Sequence, residues 1–236
     1  MTPSDALSRF GLKHLLTQRA FWALQRKGFA ALGAVWAGMI RAMLELRIQQ
    51  HFIDSADLHY QVSETLAKPI DAAVQALLAS VTGGGKVLVA GGGASLALAQ
   101  YLTGLLVGGF ERERPGLPAM TLGADAVWAS AWSGDEGLAR QVHALGQAGD
   151  VLVLMTTHGE ETVLLQAVRA AHEREMTVVA ITGGSGGAVA RLLRETDVHV
   201  CVPHERAARV REVQQLVLHC LCDGMDTQLL GEQEPM

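Results

Sequence analysis

Five short apolar runs alternate with helical stretches along most of the chain, and this alternation constrains the fold more than any other feature. The apolar runs lie at 86–90, 118–122, 150–155, 176–182 and 197–202. Helical spacing of apolar residues occupies 94–108, 160–173, 187–194 and about 206–230. Short apolar strands separated by helices predict a parallel sheet with helices on both faces. The predicted fold class is therefore α/β, a three-layer sandwich.

The first 80 residues differ from this pattern because they are helical in composition and contain no strand-like run. Within 43–80, apolar residues recur every three or four positions. We expect Pro69 to divide this stretch into a helical pair, since proline removes a helix hydrogen bond. Residues 1–42 carry six Lys or Arg against one acid. We interpret them as a basic N-terminal extension, possibly from a mis-assigned start, with a secretion signal or a membrane- or partner-binding helix as alternatives. The main domain then spans 43–236.

The composition narrows the class of protein. Hydrophobic residues make up 49% of the chain and charged residues 18%, so a sizeable core is available and disorder is not expected. The net charge of −5 argues against direct nucleic-acid binding. Three cysteines form no disulfide framework and predict a reducing, cytoplasmic location. The apolar run at 28–38 is too short to span a bilayer, so no membrane span is expected.

Two loops that follow predicted strands are the candidate ligand-binding segments. Ligands of such sheets lie beyond the carboxyl ends of the strands, near the point where the strand order reverses. The glycine-rich loop Gly91–Ser95 and the hydroxyl-containing loop Thr156–Glu161 each precede a helix, whose free amides favour an anion. From composition alone a tight turn is as good an explanation of the first loop. Helix capping by Thr157 explains the second better than anion binding does.

Six sequence blocks, in a regular order, identify a family. They are GGGAS (91–95), FERERPGLPA (110–119), AGDVLVLMTTHGEE (148–161), MTVVAITGGSGG (176–187), VPHERAARVREVQ (202–214) and LHCLCD (218–223). Their order and spacing resemble the sugar-isomerase (SIS) domain family, in the branch that contains phosphoheptose isomerase and the DnaA initiator-associating protein. The resemblance covers roughly residues 43–230.

This resemblance implies a five-stranded parallel sheet in flavodoxin-like order and a homotetramer. It also implies one of two activities. The isomerase converts sedoheptulose 7-phosphate to a heptose phosphate for lipopolysaccharide synthesis, whereas the other relative binds a replication initiator protein. A sugar phosphate is the implied ligand in the first case.

The helices of the family carry proton-transfer and metal-binding residues, and here most of them differ. A histidine and a glutamate four residues apart align with Tyr101 and Leu105, so we expect no cofactor, although zinc is possible in the family. A glutamine aligns with Arg211, while the histidine eight residues later is kept as His219. The resemblance makes His219 the candidate catalytic residue. A packed core histidine is the structural alternative.

The loops also differ from the family. Gly92 replaces an asparagine and Ala94 a glycine, and family serines align with His158 and Glu161. The resemblance implies substrate or phosphate contacts from Gly92, Gly93, Ala94, Ser95, Thr156, Thr157, His158, Glu161, Arg211 and Asp135. We expect Trp128 and Trp132, four residues apart, to pack against the protein and not on a sugar.

These departures lead to a functional expectation. Leucine at position 105 cannot transfer a proton, and the carboxylate of Glu161 repels a phosphate. We therefore expect an SIS protein that is catalytically impaired and acts as a regulatory or binding module, like the DnaA initiator-associating protein. The alternatives are an active D-sedoheptulose 7-phosphate isomerase with a rearranged site and a sensor of a less anionic sugar.

Overall fold

The computed structural model describes residues 18–125, 128 and 134–231, and before residue 39 it describes only the side chain of Trp36. The chain divides into two compact units, Met1–Ala56 and Asp57–Met236. The elements, in chain order, are α1 (Gln18–Thr82), β1 (Val87–Gly91), a 3-10 turn (Gly93–Ser95), α2 (Leu96–Gly108), β2 (Ala119–Thr121), α3 (Gly137–Leu145), β3 (Val151–Met155), α4 (Thr162–Glu173), β4 (Thr177–Gly183), α5 (Gly187–Leu192), β5 (Val198–Val202) and α6 (Ala207–Leu230).

The five strands form one parallel sheet in the order β2-β1-β3-β4-β5. This confirms the predicted five-stranded sheet and its flavodoxin-like order. The chain places β2 on one side of β1 and then crosses to β3 on the other, so the strand order reverses between β1 and β3. The register pairs Gly91 with Met155 at this point. A ligand is therefore expected beyond the carboxyl ends of these two strands.

Alternating residues of each strand belong to two hydrophobic clusters, one on each face of the sheet. In β1, Val87 and Val89 belong to the first cluster, whereas Leu88 and Ala90 belong to the second. The first cluster also holds buried residues of α1, α2 and α6, and the second holds those of α3, α4 and α5. Helices thus cover both faces, which confirms the three-layer sandwich.

The expected break at Pro69 is wrong, because α1 continues through this residue. A proline inside a helix costs about 3 kcal/mol. Buried residues on both sides of it, including Leu66 and Val74, pack into the same first cluster. Burying one such side chain contributes about 1.5–3 kcal/mol, so the packing on both sides outweighs the lost hydrogen bond.

Two further differences concern elements that the sequence did not delimit. Helix α3 was not predicted, although its residues Leu138, Ala139 and Val142 are buried in the second cluster. Helix α1 begins at Gln18 and passes the expected boundary at residue 42, while the interpretation of 1–42 as an extension stays a prediction. Across the described part of the chain, no helix is both long and apolar enough to cross a membrane.

A buried ion pair joins the loop after α2 to the last helix. Arg114 Nε donates to Asp226 Oδ1 at 2.5 Å, and the two side chains are 2% and 1% exposed. The same guanidinium donates to the carbonyl oxygens of Leu105 and Leu106 at the end of α2. Arg114 therefore connects the C-terminal ends of α2 and α6, the two helices on which Tyr101 and His219 lie.

We predict that Asp226→Ala lowers the free energy of unfolding by about 3–5 kcal/mol, because it leaves the buried Arg114 charge without a counter-ion. Urea denaturation at pH 7 measures this loss. Glu173→Gln is the matched control, since the ion pair of Glu173 with His143 is exposed at 3.5 Å and such pairs contribute about 0–1 kcal/mol. Equal losses in the two variants would contradict the structural role of the buried pair.

Candidate functional site

The two candidate loops meet at the carboxyl ends of β1 and β3. The backbone N–H of Gly92 donates to the carbonyl of Met155 at 2.8 Å, which joins the start of one loop to the end of the neighbouring strand. Ser95 closes the first loop and is fully buried, whereas Gly93 and Ala94 are exposed. The sheet therefore brings together the two segments that the sequence singled out.

A buried threonine organises the second loop. Thr156 Oγ1 accepts hydrogen bonds from the backbone N–H groups of His158 (3.2 Å) and Gly159 (3.0 Å). The same hydroxyl donates to the carboxylate of Glu161, whose two oxygens lie at 2.9 and 2.7 Å. Glu161 is the N-cap residue of α4, so the interpretation of Thr157 as the cap is wrong. Thr157 is instead buried beside this network, and the His158 side chain is exposed.

The Glu161 carboxylate also lies directly against Gly92 of the first loop. A Cβ atom on Gly92 would stand 2.6 Å from Glu161 Oε1 and 2.9 Å from its Cδ. The backbone of Gly92 has φ −78° and ψ 126°, which any residue adopts. The Glu161 carboxylate, and not the backbone conformation, is therefore what an added side chain at position 92 would displace. Gly92 and Glu161, which both depart from the family pattern, are therefore in contact with each other.

The loop after β3 also contacts the loop after β4. Gly159 has a positive φ of 74°, and a Cβ there would stand 2.1 Å from the carbonyl oxygen of Gly186. Gly159 O accepts from the N–H of Val189, and Glu160 Oε1 accepts from the N–H of Ala188 at 3.1 Å. Only glycine satisfies both the conformation and the approach. These contacts fix the loop that carries Glu161.

His219, the candidate catalytic residue, lies on α6 and pairs with an aromatic ring on α2. The hydroxyl of Tyr101 and Nε2 of His219 are 2.9 Å apart and share a hydrogen bond. Phe110 stacks on the same imidazole with ring centroids 5.5 Å apart. His219 is half-buried and Tyr101 is 40% exposed. His219 is thus a hydrogen-bonded, half-buried side chain, and its assignment as the catalytic residue or as a packed histidine stays a prediction.

Gln214 is a site residue that sequence reasoning missed. Its Nε2 donates to the backbone carbonyls of Thr156 (2.8 Å) and Ile181 (3.0 Å), at the ends of β3 and β4. The side chain is fully buried and ties α6 to the rim of the crevice. No short sequence pattern signals this bond, because it joins residues 58 and 33 positions apart.

Arg211 lies one turn before Gln214 on α6. Its side chain is half-buried, and its Nε atom is buried without a hydrogen-bond partner among the described residues. A guanidinium carries its positive charge at any physiological pH. The first turns of α6 therefore carry a fixed cation, and its contact with a substrate stays a prediction.

Some expected site residues are not joined to the crevice. Asp135 is exposed in the turn before α3, and no described contact connects it to either loop. Trp128 is half-buried and its backbone N–H donates to Asp125 Oδ1. Trp132 lies outside the described residues. Contact of Asp135 with a substrate stays a prediction.

The residues at the zinc positions of the family do not fit a resident metal. Leu105 has no donor atom and packs against the first hydrophobic cluster, which leaves the imidazole of His219 and a phenol. Cys220 and Cys222 are close in sequence, but burial raises the pKa of both thiols, that of Cys222 to about 12. The two thiols are also two residues apart on α6 and point to nearly opposite faces, so they cannot close on one ion.

The fold and the crevice define a sugar-isomerase-type domain, and a family model confirms the class. The SIS domain model matches residues 50–183, and the chain belongs to the SIS domain family, in its phosphoheptose isomerase branch. A phosphoheptose isomerase of Methylibium petroleiphilum is 54% identical over 196 residues, covering 81% of this chain and 98% of that protein. A phosphoheptose isomerase of Azoarcus sp. is 45% identical over 192 residues, 80% and 98% of the two chains. The structure of phosphoheptose isomerase from Neisseria gonorrhoeae superimposes with a TM-score of 0.73 at 36% identity, covering 78% of this chain and 99% of that one.

These relatives correct the functional expectation drawn from the sequence. Curated proteins that are 43–54% identical over about four fifths of the chain are named phosphoheptose isomerase. The expectation of a catalytically impaired regulatory module, and of a protein that is not an enzyme, is therefore wrong. That expectation judged Leu105 and Glu161 one at a time. In the structure, Glu161 is accommodated by Gly92, and Tyr101 bonds to His219.

We predict that Gly92→Ala destabilises the protein by about 1–3 kcal/mol, because the new methyl group overlaps the Glu161 carboxylate. In a Glu161→Ala background the same change should cost about 1 kcal/mol less, and a double-mutant cycle by urea denaturation measures the difference. Gly104→Ala is the control, since a Cβ there meets nothing within 4 Å. An unchanged cost in the Glu161→Ala background would show that the two residues are independent.

Proposed function

We propose that this protein is a phosphoheptose isomerase that interconverts sedoheptulose 7-phosphate and an aldoheptose phosphate. The observation that carries the proposal is the 54% identity with a phosphoheptose isomerase along 98% of that protein's length. The structure supports it with a crevice at the strand-order reversal and an accessible histidine that is hydrogen-bonded to a phenol. The alternative that the sequence left open, an active enzyme with a rearranged site, becomes the main proposal.

The proposed reaction moves protons and needs no oxidant or reductant. A base removes a proton from the carbon next to the carbonyl group, which gives an enediol. The proton then returns to the neighbouring carbon, and a hydroxyl proton moves from one oxygen to the other. Substrate and product are isomers, so atoms and electrons balance within the sugar.

We assign the base to His219 and the oxygen-directed donor to Tyr101. A neutral imidazole has one unprotonated ring nitrogen, which can take the proton from the sugar carbon. We assign the tautomer in which His219 Nε2–H donates to the phenol oxygen 2.9 Å away, so that Nδ1 is the base and the phenol O–H is left to donate to the negative charge that develops on the enediol oxygen. Tyr101 and His219 thereby provide the proton-transfer groups that Leu105 cannot provide.

Several expectations are not decided by these relatives. A homotetramer, a replication initiator protein as a partner and a cytoplasmic location stay predictions. Self-association is supported by the apolar side chains that α1 exposes within Met1–Ala56. Those with the largest exposure there are Phe52 (74%), Leu46 (65%), Met43 (55%), Leu44 (54%) and Ile53 (52%). Several large apolar side chains exposed on one helix are typical of an interface.

We predict that the purified protein forms aldoheptose phosphate from sedoheptulose 7-phosphate, and that His219→Asn lowers kcat by about 10²–10⁴-fold because the base is lost. Tyr101→Phe should lower kcat by about tenfold or more, since it removes one hydrogen bond to developing charge. Nuclear magnetic resonance of the sugar carbons measures both rates. His143→Asn, a change at an exposed side chain of α3, is the control and should leave kcat unchanged. Absence of aldose product with the unaltered protein would refute the proposed function.

We further predict that light scattering at micromolar concentration gives a mass above that of one chain. Phe52→Glu should shift the distribution towards single chains, because it places a charge in the exposed apolar surface. Glu45→Gln, an exposed change in the same stretch of α1, is the control. A single-chain mass for the unaltered protein would contradict self-association.

A further inference from the structure

Arg211 is a cation without a counter-ion in the described part of the chain. No ion pair or hydrogen bond joins its guanidinium to another described residue, and its Nε is buried. By contrast, the guanidinium of Arg114 is bonded to Asp226 and to two carbonyls. Buried charges in proteins are normally paired because desolvation is costly. An anion from outside the described residues would complete this site.

The position of Arg211 places that missing anion near the crevice. Gln214, three residues later on α6, reaches the carbonyls of Thr156 and Ile181, and residues three apart lie on one helix face. Val210 lies against Gly183 at the end of β4, where a Cβ would stand 2.7 Å from the valine Cγ2. The first turns of α6 therefore lie at the carboxyl ends of β3 and β4. Arg211 lies within those turns, next to the loop of Thr156.

A second observation points to a polar ligand at the same edge. Ser95, at the end of the first loop, is 0% exposed, and its Oγ has no hydrogen-bond partner among the described residues. A buried hydroxyl without a partner is uncommon in native structures and calls for a ligand or water. Ser95 and Arg211 come from elements on the two sides of the crevice, after β1 and after β5.

The Glu161 carboxylate does not neutralise Arg211. It is held by Thr156 Oγ1 and lies against Gly92, and no ion pair within 4.0 Å connects it to the guanidinium. The Thr156–Glu161 loop thus presents a negative charge where its amides would otherwise favour an anion. Positive charge for a phosphate group has to come from another element.

We propose that Arg211 binds the phosphate group of the substrate and supplies the positive charge that the Thr156–Glu161 loop does not. The guanidinium has paired N–H donors that match two phosphate oxygens, and it keeps its charge at any pH of interest. The identity of the sugar rests on the proposed function, whereas the phosphate-binding role of Arg211 does not. Arg211 is thereby a specificity-determining residue that selects phosphorylated sugars.

Binding of inorganic phosphate to the full chain, measured by isothermal titration calorimetry at fixed ionic strength, tests this role without any turnover. Arg211→Gln should raise the phosphate Kd by about tenfold or more. Arg211→Lys keeps the charge but loses the paired donors, and should raise Kd by about three- to tenfold. Glu161→Gln should lower Kd, because it removes a like charge. Arg169→Gln, a change at an exposed side chain of α4, is the matched control and should leave Kd unchanged.

Steady-state kinetics with sedoheptulose 7-phosphate give the second readout. Arg211→Gln should raise KM by about 10–100-fold and change kcat by less than about threefold, since it removes binding common to substrate and transition state. A phosphate Kd of Arg211→Gln equal to that of the unaltered protein would overturn the proposal; if that variant does not fold, Arg211→Lys takes its place in the comparison. Absence of phosphate binding by the unaltered protein would also overturn the proposal. Arg211-dependent phosphate binding without aldose formation would support Arg211 and refute the isomerase function.

Discussion

The parallel pairing of β1 with β3 is the constraint on which the site depends. Because Gly91 is in register with Met155, the loops that follow the two strands leave the sheet side by side. The Gly92 N–H to Met155 carbonyl bond continues the pairing beyond the strands. Residues about 65 positions apart in sequence, such as Gly92 and Glu161, are thereby brought into contact. The crevice follows from sheet topology before any side-chain chemistry is considered.

Within that crevice, the unusual residues occur as matched pairs. Glu161 needs the space that only a glycine at position 92 leaves, and Thr156 supplies the hydroxyl that holds its carboxylate. Tyr101 and His219 form the second pair, from helices whose C-terminal ends are joined by Arg114. The members of each pair come from different elements, so each residue has to be judged together with its partner.

The sequence predicted the sheet well and the side-chain contacts poorly, for physical reasons. Each predicted strand agrees with the structure to within one or two residues at either end, because fully buried strands such as β3 are continuous apolar runs. The path of α1 through Pro69 depends on tertiary packing that local propensity does not contain. The bond of Gln214 to Thr156 and that of Tyr101 to His219 join distant segments, so no local pattern reports them.

Because local patterns do not report contacts between distant segments, the expectation of a catalytically impaired protein was also wrong. From the sequence, Leu105 was a missing carboxylate and Glu161 a misplaced one, and each was weighed alone. A carboxylate about 4 Å from a phosphate costs roughly 1 kcal/mol per pair of unit charges in water and roughly 4 kcal/mol at an effective dielectric constant of 20. The interaction of an unpaired guanidinium with the phosphate at a similar distance is favourable by an energy of the same magnitude. Since Thr156 and Gly92 fix the carboxylate in its place, it does not move to neutralise Arg211, and the positive charge remains for a ligand. In the proposed arrangement, the separation of these two charges allows a loop containing a glutamate to border the phosphate group of the substrate.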